Sequence, residues 1–229
     1  MSPDQEIIRG SCIYCGSLDG LTKDHVPPKR LFPKPRGPQV TVPACNTCNQ
    51  SFKKDDEYFA MAVALEAYVE HPSAFQVWEQ SLRPMILRGQ GLKRMLSQNI
   101  LENNVVTPAG VYLPDRKAIR FRKDRILRVV TRIVRGLIWN HYKVKPTADT
   151  VIEIHRNPTL NEHTANLINS MTQLSWLGDD IFRYRHSLAE EELDSSLWCL
   201  QFYGHTEFLV LVLGRSCTAP STNPSALES

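Results

Sequence analysis

The chain has 229 residues, a formal net charge of +3, 42% hydrophobic and 22% charged residues, proportions ordinary for a soluble globular protein that forms one large domain or two small ones. They exclude a membrane-spanning chain: the longest apolar run, Tyr58 to Leu65, falls far short of the roughly 20 residues a bilayer requires. Met1 to Glu6 is acidic and lacks a signal-peptide core, so a cytoplasmic protein without a membrane partner is expected.

In chain order, Ile7 to Ile13 leads into Cys12-Ile13-Tyr14-Cys15, and Leu21-Thr22-Lys23-Asp24-His25 reads as a strand. A stiff, positive loop follows, in which Pro27, Pro28, Pro33, Pro35 and Pro38 alternate with Lys29, Arg30, Lys34 and Arg36. It suits either a preorganised phosphate-contacting loop or a solvated turn region. A second Cys-x-x-Cys, Cys45/Cys48, lies 29 residues beyond the first pair, and Asn49 comes next. Either pair alone could be a redox dithiol or buried free cysteines. Two matched pairs flanking a loop suit one tetrahedral Zn²⁺ on four thiolates, pinning a segment poor in apolar residues. Cys199 and Cys217 remain outside this set, and in a reducing compartment no disulfide is expected between them.

Phosphodiester cleavage needs an activated water and positive charge for the phosphoryl and leaving oxygens. Asp24 and Asn49 are oxygen donors suited to a hard cation such as Mg²⁺. The His25 imidazole, titrating ordinarily at about 6.5, suits a general base. Each has a plainer alternative: Asp24 as a turn residue, Asn49 as a helix cap, His25 as a structural histidine.

The succession Cys-x-x-Cys, Asp24-His25-Val26-Pro27, Cys-x-x-Cys-Asn resembles the HNH endonucleases of the ββα-metal class, in the subgroup whose four-cysteine zinc clamps the catalytic hairpin. The resemblance covers about the first quarter of the chain. It implies structural zinc on Cys12, Cys15, Cys45 and Cys48, a catalytic Mg²⁺ or Mn²⁺ held by Asp24 and Asn49, and His25 as base, leaving 5′-phosphate and 3′-hydroxyl ends. The expected substrate is DNA before RNA, in a setting such as restriction or phage defence. One position departs: the family's middle asparagine falls in Gln39-Val40-Thr41-Val42-Pro43-Ala44-Cys45, which has none, so Gln39 or Val40 would supply its backbone carbonyl.

Beyond Cys48 a helix is expected from about Lys53 to Glu70, with Asp55, Asp56 and Glu57 in its first turn, where the helix dipole favours negative charge. Residues 73 to 102 read as broken helical pieces, and Gly110–Leu113 with Ala118–Phe121 as a short hairpin joined through Pro114-Asp115. The net charge concentrates next: from Asp115 to Lys145, 11 Lys and Arg face 2 acids, while the stretch through residue 59 carries +1 and the remainder −7. Over a helix from Asp124 to about Tyr142, Arg125, Arg128, Arg132, Arg135 and Trp139 fall within about 80° of one another. Lacking acids at i+4, this stripe suits a phosphate backbone or an acidic partner, with Lys29 and Arg30 as further contacts; a solvated face or pairing with the acidic remainder of the chain is the alternative. Strands at Val151–His155, Ile181–His186, Leu197–Tyr203 and Phe208–Leu213, with a helix from Asn161 to Leu174, complete an antiparallel unit whose last two strands form a hairpin near Gly204. His155, His163, His186 and His205 are expected to be structural or surface residues.

The expectation is therefore an α+β protein: an HNH module over 1–71, a helical and α+β accessory region over 72–217, and a disordered tail over 218–229. The function expected is metal-dependent endonuclease; the alternative is a catalytically idle, zinc-stapled module that binds nucleic acid or a protein partner, and a homo-oligomer is compatible with either.

Overall fold

In the computed structural model, residues 10–106, 112–146, 149–171, 173–178, 180–189 and 192–214 are described. The expected tail, Cys217 and the side chain of His163 lie outside the described residues. Among these residues the fold is mixed α and β, with three antiparallel sheets. Among the described residues no helix is long and apolar enough to cross a membrane.

Strands β1 (Leu21–Val26) and β2 (Val40–Cys45) form an antiparallel hairpin, with Leu21 opposite Cys45 and His25 opposite Thr41. Helix α1 (Asn46–Ala67) begins at once, earlier than the sequence pattern predicts. The cause is its N-cap: the Cys45 Sγ accepts from the Cys48 N–H, so the second knuckle is itself the first helical turn. Asp55, Asp56 and Glu57 therefore sit in the third turn, too far from the N-terminus for the dipole role expected of them. Their partners are arginines, as shown below. From Tyr58 to Ala64 every residue of α1 is buried, as befits a helix apolar on all sides at the centre of a protein.

Helices α2 (Pro72–Val77), α3 (Arg83–Arg88) and α4 (Gln90–Gln98) follow, the first two joined by a π turn over Trp78–Leu82. The hairpin expected within residues 110–121 is instead one strand, β4 (Tyr112–Ile119), paired with β3 (Ile100–Val106). Pro114 and Asp115 lie where the register shifts opposite Asn104, a bulge in which a missing N–H costs no ladder bond.

Helix α5 (Lys123–Tyr142) packs against α1 and the β1–β2 hairpin. Strands β5 (Val151–Arg156), β6 (Gln173–Leu177), β7 (Phe182–Ala189), β8 (Glu192–Phe202) and β9 (Thr206–Leu213) make an antiparallel sheet in the order β5-β9-β8-β7-β6. Helix α6 (Glu162–Ser170) starts on an Asn161 cap and stops short of the expected end, because Gln173 to Leu177 pairs with β7. The β8–β9 turn closes at Tyr203 and Gly204, both at positive φ. Phe182, Phe202 and Phe208 point inward from the sheet and meet Phe59 of α1 or one another. Among the described residues the main apolar core runs from Ile13 to Val212.

Candidate metal centre and the surrounding hairpin

The first knuckle and the end of β2 meet because Ile13 N–H donates to Pro43 O and Asn46 N–H to Gly20 O. This brings the Sγ atoms of Cys12, Cys15, Cys45 and Cys48 within 4.8 Å of one another, with Cys15 and Cys45 at 3.6 Å. Tetrahedral Zn–S bonds of about 2.3 Å place sulfurs about 3.8 Å apart, so the cluster fits that ion. Burial drives the Cys12 thiol up, but backbone groups of Cys45, Cys15 and Tyr14 outweigh it and lower the group to about 7. Burial and the neighbouring thiols push Cys48 upward. Four thiolates cannot coexist here without a cation. Among the described residues the local buried cluster is small, Cys12, Ala44 and Cys45 with Tyr14 and Leu21 packed against it, so the knuckles have little apolar support of their own.

His25 is half-buried at the far end of β1, directly across from Thr41; Gln39 and Val40 lie further along, Val40 opposite Val26. Burial lowers its pKa, and Lys29 lowers it further; Asp24 opposes this and Arg36 adds to it. Lys29 is exposed, while Arg36 donates to the Lys29 carbonyl at 2.8 Å. The loop is held to the body of the protein: Leu31 and Phe32 are buried, and the Tyr203 hydroxyl donates to Leu31 O at 2.5 Å. Arg30 pairs with Glu57 at 2.6 Å.

Asn49, on the first turn of α1, donates to Thr22 Oγ1 at 2.9 Å and to Lys23 O at 3.3 Å, which ties the helix start to β1. Asp24 shares the Thr22 face of β1, since side chains alternate along a strand. It is only 4% exposed. Tyr14 donates to its Oδ2 at 2.7 Å, and the Arg132 Nε stands 3.7 Å from the same oxygen. Arg132, also 4% exposed, hydrogen-bonds Asp56 and lies 4.4 Å over the Phe52 ring. Burial raises Asp56 to about 6, against the pull of Arg132. A hydrated Mg²⁺ keeps several waters and needs open oxygen ligands. In this arrangement Asp24 offers none, so the pair Asp24 and Asn49 does not fit such an ion.

The arginine stripe finds acidic partners within the fold. Arg125 pairs with Asp55 at 2.5 Å, Arg128 with Asp55 at 2.9 Å and Asp124 at 3.0 Å, and Arg132 is buried. Burial raises Asp55, but hydrogen bonds from Arg128 and Arg125 outweigh it and hold the carboxyl below its usual range. Arg135 is half-buried on the same helix. The acids absent at i+4 come from α1, some 70 residues earlier. Nothing in the local pattern around Arg125 could reveal them; Tyr14, by contrast, stands inside the first knuckle, where an aromatic hydroxyl between two metal ligands was open to notice. Of the scattered histidines, His186 is buried against Trp198, His205 pairs with Glu70 at 2.7 Å, and His155 is exposed.

No protein-family model, no curated protein and no solved structure matches the chain.

Proposed function

We propose that the chain is a zinc-stapled endonuclease of HNH type, hydrolysing phosphodiester bonds of nucleic acid, DNA before RNA, with His25 as general base. The observation that supports this best is the local architecture: an antiparallel hairpin runs straight into a helix through a four-cysteine cluster, with His25 on the first strand and Asn49 on the first helical turn. Zinc, when bound, supplies no chemistry to the substrate and fixes the angle between hairpin and helix. The lowered pKa of His25 keeps its imidazole neutral near pH 7, able to accept the proton of an attacking water. The two cations that lower it, Lys29 and Arg36, are disposed to hold a phosphodiester beside that water. Asn49 and Thr22 keep the helix start and the strand in register.

Cleavage of plasmid DNA, single-stranded DNA and structured RNA with Mg²⁺ or Mn²⁺, comparing wild type with His25→Ala at equal zinc content, tests this reading. Cutting by wild type that His25→Ala loses is the expected result. A folded, zinc-loaded wild type that cuts none of the three refutes it. The burial of Asp24 favours a second reading, a module that binds nucleic acid or a protein partner without cutting. On that reading His25→Ala changes neither binding nor stability.

A further inference from the structure

The outer face of the five-stranded sheet carries groups that neither the hairpin nor the core uses. Along β8 the side chains alternate: Leu200 and Phe202 face the core, while Cys199 and Gln201 face the other way, Cys199 against the apolar side of α6. Register sets Arg183 of β7 opposite Gln201, and Gln201 opposite Glu207 of β9. One row across three strands therefore runs from a guanidinium through an amide to a carboxylate. The next row is Arg185, Cys199 and Leu209, and Ile168 of α6 packs over it.

Between helix and sheet lies a cavity of about 320 Å³, lined by both arginines, Gln201 and Glu207, with Leu160 and Ile168 as its apolar wall. Small-molecule sites span roughly 300–1,000 Å³, so this one suits a small ligand. Three of the polar groups are held in place. Arg185 Nη1 donates to the carbonyls of Ile168 and Asn169, each at 3.3 Å, which fixes the guanidinium at the end of α6. Glu207 accepts from Gln201 Nε2, and its backbone N–H donates to Asn157 Oδ1 at 2.7 Å. Gln201 is 7% exposed, and its Oε1 has no hydrogen-bond partner among the described residues, a cost that a donor in the cavity would relieve. Both signs of charge reach the same floor: burial raises the Cys199 thiol, Glu207 adds to that, and Arg185 and Arg183 oppose it.

We propose that this cavity binds an α-amino acid with an apolar side chain, its carboxylate on the arginines of β7, its ammonium on the Gln201 and Glu207 wall, and its side chain against Leu160 and Ile168. A simple carboxylate would leave Glu207 facing it without compensation, and a simple amine would meet two guanidinium groups. A zwitterion satisfies both ends. Arg183 and Glu207 stand two strands apart, about 10 Å between backbones, and their side chains narrow that span to the reach of a small zwitterion. The site is independent of the nuclease reading.

Isothermal titration calorimetry on the zinc-loaded full chain tests this with L-leucine and L-phenylalanine. Two leucine analogues each lack one charge: L-leucinamide has no carboxylate and 4-methylpentanoate no ammonium. At least one amino acid is expected to bind with Kd of about 1 mM or tighter, and each analogue at least about tenfold more weakly than leucine. Glu207→Gln, which keeps an acceptor for Gln201, and Arg185→Gln should each cost at least about tenfold in affinity. Because Arg185→Gln also releases the end of α6, Arg183→Gln is read beside it, with the same loss expected. Saturating amino acid should slow N-ethylmaleimide labelling of Cys199, located by peptide mass mapping, at least about fivefold. Absence of binding by both amino acids at about 10 mM overturns the site. An analogue that binds as tightly as leucine overturns the recognition of a zwitterion. Binding that survives all three substitutions, or that leaves Cys199 labelling unchanged, puts the amino acid elsewhere and overturns the assignment to this cavity.

Discussion

Gly136 sits where α5 crosses β1, and a methyl group added there would lie 2.5 Å from Val26 Cγ2, 3.0 Å from Cγ1 and 3.3 Å from Cβ. Val26 follows His25, is 1% exposed and is stiff at χ1, so neither rotation nor retreat relieves the contact without moving the strand. Overpacking of this kind costs about 1–3 kcal/mol, whereas Gly→Ala in a helix interior returns about 1 kcal/mol. Gly136→Ala should therefore be destabilising by about 1 kcal/mol, which lowers Tm by about 2–4 °C in a chain this long. Gly136→Val should cost more. Val26→Ala removes the two γ-methyls that clash, so adding Gly136→Ala to it should be neutral or stabilising, and the cycle should give a coupling of about 1–2 kcal/mol. Urea denaturation followed by far-ultraviolet dichroism measures all four corners. Stabilisation by Gly136→Ala in the Val26 background, as at an exposed helical glycine, would refute the close approach of α5 to β1.

Acid should weaken the fold through His186, which burial and His141 hold down to about 4, with Tyr142, Tyr184 and Trp198 packed around it. Its folded pKa lies below the ordinary 6.5, so its contribution is complete above pH 6.5 and lost as pH falls toward 4, by about 3 kcal/mol in all; His186→Phe should flatten that slope in urea titrations across the window. Cys45→Ser should lose zinc, measured by metal analysis, and lower Tm by more than 5 °C, because the small Cys12, Ala44, Cys45 cluster cannot hold the knuckles. Tyr203→Phe should cost about 1–2 kcal/mol, since it leaves the Leu31 carbonyl without its buried donor; a change within error would show that water replaces it. Nucleic-acid affinity should fall with salt at a log–log slope of about −3 to −4 if Lys23, Lys29, Lys34 and Arg36 each meet a phosphate, and Lys29→Ala should reduce that slope by about 1.

Local signals carried much of the molecule into the sequence. The extent of α5, the β8–β9 hairpin and the start of α6 near Asn161 were legible because each rests on residues within a few positions of one another. The four-cysteine cluster was legible for a different reason: two cysteine pairs at knuckle spacing flanking a loop suit one metal ion. What failed to show was set by distant partners or by exceptions to local rules. The start of α1 was hidden because Cys45 is no ordinary cap, and its thiol does the capping only once the knuckle forms. Strand β4 was hidden because Pro114 reads as a turn, yet a bulge opposite Asn104 accommodates it. Strand β6 was hidden because its pairing with β7 overrides a pattern that continues the helix.

Charge shows the same division with a functional consequence. The segment from Asp115 to Lys145 carries +9, yet Arg125, Arg128 and Arg132 find Asp55, Asp56 and Asp124 within the fold. Arg132, which is buried, cannot also neutralise a phosphate without leaving a carboxylate stranded, at a cost of about 3–5 kcal/mol, whereas the more exposed pairs of Arg125 and Arg128 hold them far less firmly. That cost exceeds what one surface phosphate contact returns. Positive charge available to a polyanion is therefore better sought where exposure is high and the tether is short, around His25. Lys29 and Lys34 are exposed there, and Arg36 reaches back to the Lys29 carbonyl. A substrate drawn to these residues would arrive at the imidazole, while the arginine helix behind it governs how β1 and α1 are held together.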